Sequence, residues 1–596
     1  MSALAIMTLL PVAEIFLRAF FRTGIPASAT VVQHLVLAVG MLGGALAARE
    51  DRLLALSAAS QWFRGRLLAW SRLIGYGFAA AVSAFLCAAS VQFVLSQRSL
   101  GKILLHVFGI GLPAWVVQLL LVAGFGLVTG RLIWRVSDRW RWRAATLALA
   151  AGFVAVALWA PVDPLTLRWP AMIILLVAVA MGAPIFTALG GAALILLWTG
   201  GEPISAVPLK HYQLTVNPTL PSIPLFTLAG YFLAEGAAAR RLVRLFQAAF
   251  GSLHGGPAIV TVFVCAFFTT FTGASGATIL ALGGVLMPVL LAAHYSERSS
   301  LGLLTGAGSL GMLFPPCLPP ILYAIIASSG GQVSVSIAQM FQGGFLPGVL
   351  LVGMTAWWGI REGPGRGEAG RQPFDAREAW AAAWGAKWEL LVPVVALTAL
   401  FSGYATPVEA AAITAFYTFL VAVVIHRDLS LFRDVPRVVT ECGLLVGGVL
   451  LILGVALGFT YYLVDAQIPD QAVAWATGAI HSKWLFLLGL NLVLLVIGGL
   501  VEIYAAIVVV VPLLVPLGLA FGIDPVHLGI IFLANMELGF LAPPIGLNLL
   551  LASYRFRKPM GQVTRASLPM LAVMIIGVLL ITYVPWLTTW VPSLFR

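Results

Sequence analysis

One apolar stretch of this chain occurs twice, and both copies are interrupted by adjacent prolines. Leu286–Ala324 aligns with Leu514–Ala552 without a gap, at a constant offset of 228, and 11 of the 39 positions are identical. The double prolines Pro315-Pro316 and Pro543-Pro544 occupy equivalent positions. Because proline removes a backbone N–H and blocks the preceding turn, each copy is expected to break its helix there. Broken helices in paired apolar repeats are typical of membrane proteins whose repeats meet at a binding site.

The composition places the chain in a lipid bilayer. Of its 596 residues, 61% are hydrophobic and only 9% are charged, and the mean hydropathy is +1.02. Apolar runs of membrane-spanning length recur from end to end. They predict an all-α polytopic membrane protein of about 15 or 16 spans plus two hairpin-like half-spans. No charge occurs in the first ten residues and no cleavage site of small residues follows, so we expect the first helix to be retained.

The net charge of +12 comes from basic residues in short loops between the apolar runs. Such loops set the orientation of a membrane protein, and they do not indicate nucleic-acid binding. We expect a multi-pass membrane protein whose main basic loops are cytoplasmic. The chain has no P-loop motif, and its histidines and four cysteines are scattered. The sequence therefore predicts no enzyme activity, no cofactor and no structural metal site.

The apolar runs and polar loops divide the chain into five segments. Residues 1–140 form a predicted four-span module, and 141–165 a connecting span. One copy of the doubled stretch lies in 166–360 and the other in 389–596. The most polar stretch, 361–388, is predicted to be a cytoplasmic linker because it is rich in glycine and in charges of both signs.

Spans within the first part of the chain are predicted at 3–20, 28–48, 72–96, 110–135 and 145–161, followed by a longer run at 169–198. Between the second and third of these, 49–71 places apolar residues at helical spacing among arginines. This pattern indicates a helix that lies along the membrane surface.

The first candidate site precedes the first copy, where Gly273, Ala274, Ser275, Gly276 and Thr278 interrupt an apolar run. Irregular backbone at membrane depth is tolerated only where it lines a cavity or is buried in protein. Free carbonyls together with hydroxyl groups would form an oxygen cage for a small hard cation such as Na⁺. The alternative is that these small residues only let helices pack closely.

The equivalent position in the second half carries an acidic residue. By the constant offset, Glu502 corresponds to Ala274 and Ala505 to Ala277. A carboxylate at membrane depth is a candidate cation ligand or proton carrier. Two alternatives are that Glu502 reaches a water-filled crevice or that it caps a half-helix.

The two breaks offer a second set of ligands. Upstream of each proline pair, carbonyls lose their N–H donors and can coordinate a cation, while the next half-helix begins with an N-terminus that favours an anion. Gly311 and Gly539 are identical in the two copies and lie just before the prolines. A simple proline kink would explain one such break, but it explains poorly two breaks at equivalent positions.

Polar residues are unequally distributed between the copies. Asn535, Glu537 and Asn548 surround the second break, where Ser309 is the first-copy equivalent of Glu537. A weaker candidate ion site is Thr406, which is followed by a proline and by Glu409. A helix start with proline in the first turn is the alternative explanation for that motif.

At these motifs the sequence resembles the membrane component of tripartite ATP-independent periplasmic (TRAP) transporters. The similarity to the large M subunit covers about 165–590 and is carried by IPLFTLAGYFLAEG (223–236), FTGASGATILALGGVLMP (271–288), LFPPCLPPILYA (313–324), ATPVEAAAI (405–413), GIDPVHLGIIFLAN (522–535) and LGFLAPPIGLNLLLAS (538–553). Residues 1–140 resemble the small four-helix Q subunit through FLRAFF (16–21) and LGGALAARED (42–51). The chain thus resembles a natural Q–M fusion, which is compatible with a monomer.

The resemblance implies a protein of the bacterial inner membrane that carries out Na⁺-coupled uptake of an organic acid such as a C4-dicarboxylate or a sugar acid. A periplasmic substrate-binding protein would deliver this acid, and an elevator mechanism would move it. Two helical hairpins would have their tips near Gly273–Thr278 and Glu502–Ala505. Na⁺ would lie between each tip and a broken helix, and the substrate would lie between the two tips.

The residues implied in Na⁺ binding are Gly273, Ala274, Ser275, Gly276, Gly311, Pro315, Pro316, Thr406, Glu502, Ala505, Asn535, Gly539, Pro543 and Pro544. Those implied in substrate binding are Ser275, Thr278, Glu502 and Asn548. The chain departs from the usual family pattern at the second tip, where Glu502-Ile503 stands in place of Asp-Pro.

Two other functions are compatible with the residues. One is a stand-alone symporter that couples a divalent anion to Na⁺ or H⁺ without a binding protein, although such carriers need no Q-like module. The other is a non-transporting membrane subunit of an enzyme complex. That function would call for charged relays on unbroken helices, whereas the charges here lie mainly in loops.

Overall fold

The computed structural model describes residues 1–53, 66–107, 110–137, 139–159, 163–329, 331–364, 374–543 and 545–594. Within these ranges the regular secondary structure is helical apart from one pair of antiparallel strands. It divides into two compact units. Residues 1–224 and 440–469 form the first unit, and residues 225–439 and 470–596 form the second.

The helices of residues 1–215 are α1 (Ser2–Phe21), α2 (Ser28–Glu50), α3 (Arg66–Leu100), α4 (Ala114–Val136), α5 (Trp140–Trp159), α6 (Pro164–Ala180), α7 (Ile185–Thr199) and α8 (Ala206–Thr215). The antiparallel strands β1 (Ile103–Val107) and β2 (Ile110–Pro113) precede α4. Helices of the middle of the chain are α9 (Ser222–Glu235), α10 (Ala238–Phe250), α11 (Gly256–Thr272), α12 (Ser275–Ala292), α13 (Glu297–Ala307), α14 (Leu318–Ser329), α15 (Ile337–Arg361), α16 (Ala376–Gly385), α17 (Lys387–Phe401), α18 (Pro407–Leu420) and α19 (Asp434–Asp465). The last helices are α20 (Ile468–Ala479), α21 (Lys483–Leu500), α22 (Ile503–Ala520), α23 (Pro525–Gly539), α24 (Leu547–Phe556), α25 (Met560–Tyr583) and α26 (Trp586–Ser593).

The predicted spans of residues 1–161 correspond to α1–α5, but the run at 169–198 is two helices. Met181–Pro184 separates α6 from α7, because proline at 184 cannot continue the helix. The surface helix predicted at 49–71 falls largely outside the described residues, and so does 365–373 of the linker. The described end of that linker contains α16.

Unbroken spans are fewer than predicted. Among the described residues, 11 helices are long and apolar enough to cross a membrane, or up to 13 if each of two bent helix pairs counts as one span. The expectation of about 15 or 16 spans is too high for this reason, because several apolar runs form helices of only 10–17 residues. Examples are α11, α14 and α23, which belong to the repeats.

Glycines join α2 to α19 within unit 1. A methyl group added to Gly447 would lie 2.2 Å from the carbonyl carbon of Gly43, and one added to Gly43 would lie 2.3 Å from the carbonyl oxygen of Gly443. Such contacts require bare backbone on both helices, and small residues at this spacing are common where membrane helices pack.

We expect Gly447→Ala to lower the melting temperature of the purified protein, because its new methyl group meets backbone that cannot rotate away. Gly448→Ala is the matched control, since a methyl group there meets no atom within 4 Å. Equal melting temperatures for the two variants would contradict the close packing of α2 on α19.

An ion-pair network joins the two bent helix pairs of unit 2. The axis bends by 72° between α9 and α10, and by 56° between α16 and α17. Arg241 of α10 donates to Glu389 of α17 at 2.6 Å and to Asp428 at 2.6 Å. Asp428 also accepts the Ala237 amide at 3.0 Å, at the start of α10. His426 lies 3.5 Å from the fully buried Glu389.

The network stabilises the charged form of the Asp428 carboxyl group. Partial burial raises the pKa of this carboxyl group. Hydrogen bonds from Arg241 and from the Ala237 amide lower the pKa by more than burial raises it, so the pKa lies below its usual value. The charged carboxylate of Asp428 therefore holds the start of α10 through hydrogen bonds.

Candidate functional site

The doubled stretch is a structural repeat. Applying the offset of 228 places α12 on α22 end for end, and places the last residue of α11 on the last residue of α21. Each repeat thus contains a hairpin, α11–α12 or α21–α22, followed by a helix broken near the proline pair. The prediction of two hairpins and two broken helices is confirmed.

The hairpin tips differ in their backbone. The first tip turns at Gly273, which ends α11 in the left-handed conformation with φ = 65°, and Ala274 follows in an extended conformation. The second tip turns through extended Val501 and Glu502. Only the first tip therefore needs a glycine, since a side chain at this φ would be strained.

Both helices are interrupted where the prolines predict it. In the first repeat, α13 ends at Ala307 and α14 begins at Leu318, so that Pro315 and Pro316 lie in the break. In the second, α23 ends at Gly539 and α24 begins at Leu547, with Pro543 in between. Pro544 lies outside the described residues.

Each break touches its own hairpin through the identical glycine. A methyl group added to Gly311 would lie 2.2 Å from the carbonyl oxygen of Ala266 and 2.4 Å from the amide nitrogen of Thr270. One added to Gly539 would lie 2.5 Å from the carbonyl carbon of Gly498. Because Gly498 is the offset equivalent of Thr270, the same backbone contact is made twice.

Hydroxyl groups line the first of these contacts. Thr269 Oγ1 donates to the Gly308 carbonyl at 2.8 Å and lies 2.7 Å from Thr278 Oγ1, and Thr270 Oγ1 is 3.2 Å from the Gly311 carbonyl. These side chains are buried. Thr269 of α11 therefore connects Thr278 to the first break at Gly308, and neighbouring Thr270 reaches Gly311.

Ser275 begins α12 with an unsatisfied hydroxyl group. Its side chain is only 1% exposed, and Oγ has no hydrogen-bond partner among the described residues. Burying a hydroxyl group without a hydrogen-bond partner costs free energy. Binding would therefore be favoured for a ligand that accepts a hydrogen bond from this group, or for a cation that its oxygen coordinates. Neighbouring Gly276 packs on Leu551 of α24, which belongs to the second repeat.

Glu502 caps the second hairpin helix. Its Oε2 accepts the backbone N–H of Tyr504 at 2.9 Å, and the residue is half-buried. The capping alternative is thus realised in this structure. Ala505 is buried in the same first turn of α22.

The two tips are joined directly. Tyr504 Oη donates a hydrogen bond to the Gly273 carbonyl at 2.7 Å. Gly273 and the first turn of α22 therefore lie next to each other, as expected for tips that enclose a common site. No motif or repeat singled out Tyr504.

The polar residues of the second break face different neighbours. Asn535 donates to Asn491 of α21 at 2.6 Å, whereas Asn548 donates to the Thr305 carbonyl at 3.1 Å and lies 3.3 Å from Ser309 Oγ in the first repeat. Glu537 is fully buried, and neither carboxylate oxygen has a hydrogen-bond partner in the described part of the chain. Of these hydrogen bonds, those of Asn548 link the second break to the first repeat.

Thr406 starts a helix. Its Oγ1 accepts the Glu409 amide at 3.3 Å, and its own amide donates to Glu409 Oε2 at 2.7 Å, which is a capping box at the start of α18. This local role is the alternative that the sequence left open, and these bonds do not join Thr406 to either tip.

Repeated hairpins, each meeting a broken helix inside a largely apolar protein, define a multi-pass membrane transporter. The family model described as "Tripartite ATP-independent periplasmic transporter, DctM component" matches residues 172–587, and the model for the DctQ component matches residues 7–142. The chain belongs to the TRAP transporter family and combines both membrane components. It is a secondary transporter and not an enzyme.

Individual relatives cover most of the chain. The C4-dicarboxylate TRAP transporter large permease protein DctM of Rhodobacter capsulatus is 35% identical over 431 residues, which is 70% of this chain and 98% of that protein. The isethionate TRAP transporter permease protein DctMQ of Oleidesulfovibrio alaskensis is 32% identical over 485 residues, or 80% and 74%. The ectoine TRAP transporter large permease protein TeaC of Halomonas elongata is 28% identical over 409 residues, or 68% and 94%. Membership of the family implies a periplasmic substrate-binding partner and a location in the inner membrane.

Proposed function

We propose that the protein takes up an organic acid by coupling its movement to Na⁺, and that a periplasmic binding protein delivers the acid. The observation that carries this proposal is the pair of tip-and-break contacts, repeated at equivalent positions and joined through Tyr504 and Gly273. Such an arrangement brings ion ligands and a substrate space into one compact body.

The donor set favours a small hard cation. Near the first tip lie the hydroxyl groups of Thr269, Ser275 and Thr278 and the carbonyls of Gly308 and Gly311. Neutral oxygens of this kind suit Na⁺, since they can replace its hydration shell without holding it too tightly. Gly273, Ala274 and Gly276 complete the first tip.

The second tip differs because it carries a carboxylate. Glu502 and Ala505 would serve the second ion together with Gly539 and Pro543, whereas Asn535 would act indirectly through Asn491. A charged ligand holds a cation more tightly than neutral oxygens do. We therefore assign the tighter ion site to the second repeat.

Both hairpins and both breaks belong to unit 2, whereas the Q-like helices α1–α4 belong to unit 1. This division supports an elevator mechanism in which one body carries the site and the other forms a scaffold. The main basic loops would face the cytoplasm, in keeping with the orientation rule for membrane proteins.

The substrate class is inferred from the site and from the relatives. C4-dicarboxylates and isethionate, named for two relatives, are organic anions. Helix N-termini at the breaks favour anions, and Ser275, Thr278 and Asn548 offer polar groups beside them. An organic acid fits these groups without a dedicated arginine.

Uptake by proteoliposomes tests the proposed function. A thermal-shift screen of the periplasmic binding protein first identifies its ligand, and the labelled ligand is then offered to liposomes that contain the purified chain. We expect accumulation only with the binding protein and an inward Na⁺ gradient, because the proposed mechanism draws its free energy from the inward movement of Na⁺. Accumulation that persists when K⁺ replaces Na⁺ would refute Na⁺ coupling, and accumulation without the binding protein would favour a stand-alone symporter.

A further inference from the structure

The hydrogen bond between the two tips is a buried contact between the repeats. Tyr504 is only 4% exposed, and its hydroxyl group lies 2.7 Å from the carbonyl oxygen of Gly273. Gly273 ends α11 in the left-handed conformation, so its carbonyl belongs to the irregular backbone of the tip. Gly273 is also one of the residues assigned above to Na⁺ binding, and a backbone carbonyl is the oxygen that a glycine can offer to a cation.

A hydroxyl proton and a metal cation make the same demand on a carbonyl oxygen. Both place positive charge against its lone pairs, and two positive groups that approach one carbonyl repel each other. The Tyr504 hydroxyl group and a cation therefore compete for the Gly273 carbonyl oxygen. When a cation binds this oxygen, the hydrogen bond from the other tip weakens.

We propose that Tyr504 is a positioning residue that links cation occupancy of the first tip to the position of the second. Without a bound cation, its hydroxyl group holds the two tips together. Cation binding at the Gly273 carbonyl breaks the hydrogen bond from the Tyr504 hydroxyl group and releases the second tip, which opens the space between the tips. The proposal rests on the proposed Na⁺ coupling and assigns it a specific contact.

Hydrogen exchange of the purified full chain, measured by mass spectrometry in KCl and NaCl, tests this link. In the parent protein we expect the amides of 501–506 to exchange slowly in KCl and faster as NaCl is added, while those of 273–278 become protected. In Tyr504→Phe the amides of 501–506 should already exchange about five-fold faster in KCl, the factor that corresponds to one hydrogen bond. The NaCl concentration that half-protects 273–278 should fall by a similar factor of about five.

Tyr323→Phe is the matched control. Tyr323 is fully buried in the same unit, and its hydroxyl group donates to the Pro525 carbonyl at 3.0 Å. Loss of this bond should leave the exchange of both tips and their NaCl dependence as in the parent. A response equal to that of Tyr504→Phe would overturn the proposal, because it would show a general loosening of the fold.

The parent protein provides a test that needs no variant. If NaCl protects 273–278 while 501–506 stays slow, Na⁺ binds but does not release the second tip, so this proposal fails and the proposed coupling stands. If NaCl changes neither segment, Na⁺ coupling fails and the proposal fails with it. Unchanged exchange of 501–506 in Tyr504→Phe would show that the hydrogen bond does not hold the tips.

Discussion

Gly311→Ala and Gly539→Ala are expected to abolish transport, although each adds only one methyl group. At both positions the new carbon would lie within 2.5 Å of the backbone of a hairpin helix, whereas real contacts of this kind are longer than 3.0 Å. No side-chain rotation relieves the overlap, since backbone atoms are on both sides. The break would have to move away from its hairpin, at a cost of about 1–3 kcal/mol per site. The ion ligands between them would separate.

Gly489→Ala separates this effect from the general cost of losing a glycine. Gly489 lies on α21, the helix that Gly539 contacts, but a methyl group there meets no atom within 4 Å. Alanine favours a helix over glycine by about 1 kcal/mol, so this variant should be at least as stable as the parent. Binding-protein-dependent uptake and melting temperature are the measurements. Normal uptake by Gly539→Ala would show that the break is not held against the hairpin.

Much of the site could be predicted because its determinants are local. Proline pairs break helices wherever they occur, and a constant offset carries an assignment from one copy to the other. The tips at Gly273 and Glu502 and the breaks at Pro315 and Pro543 were found in this way. The sequence does not explain why glycine occupies both position 311 and position 539, because only the folded chain shows that Gly311 and Gly539 touch the hairpins.

The partners of these elements could not be predicted from local sequence. Thr269 and Thr270 are ordinary apolar-helix residues until the rotation of α11 turns both hydroxyl groups toward the first break. Tyr504 and Gly273 are 231 residues apart, so their bond depends on how the repeats pack. Periodicity and composition carry no such information.

Capping at two helix starts was an alternative that the sequence left open and the structure contains. Glu502 and Thr406 each cap a helix, which the residue types allowed but did not require. Their roles differ nevertheless. Glu502 lies at a tip beside the residue that reaches the first repeat, whereas the bonds of Thr406 remain within its own first turn.

Arg241→Met is expected to destabilise the protein strongly and to slow transport. Glu389 is fully buried and Asp428 largely so, and the Arg241 guanidinium group pairs with both. Removing one partner of a buried ion pair leaves an uncompensated charge, which costs about 3–5 kcal/mol. Because α10 leads into the first hairpin through a short turn, loss of the network would also release the base of that hairpin.

Arg244→Met is the matched control, one turn further along α10. Arg244 pairs with Glu378, but both side chains are largely exposed, and exposed pairs contribute little to stability. The double variant Arg241→Met with Glu389→Gln should recover part of the lost melting temperature, since it removes the buried charge that Arg241→Met leaves behind. Melting temperature and uptake are measured for all three proteins. Equal losses in Arg241→Met and Arg244→Met would mean that the guanidinium group acts only as a surface charge, whereas a loss confined to Arg241→Met places the anchor of the first hairpin at Glu389 and Asp428.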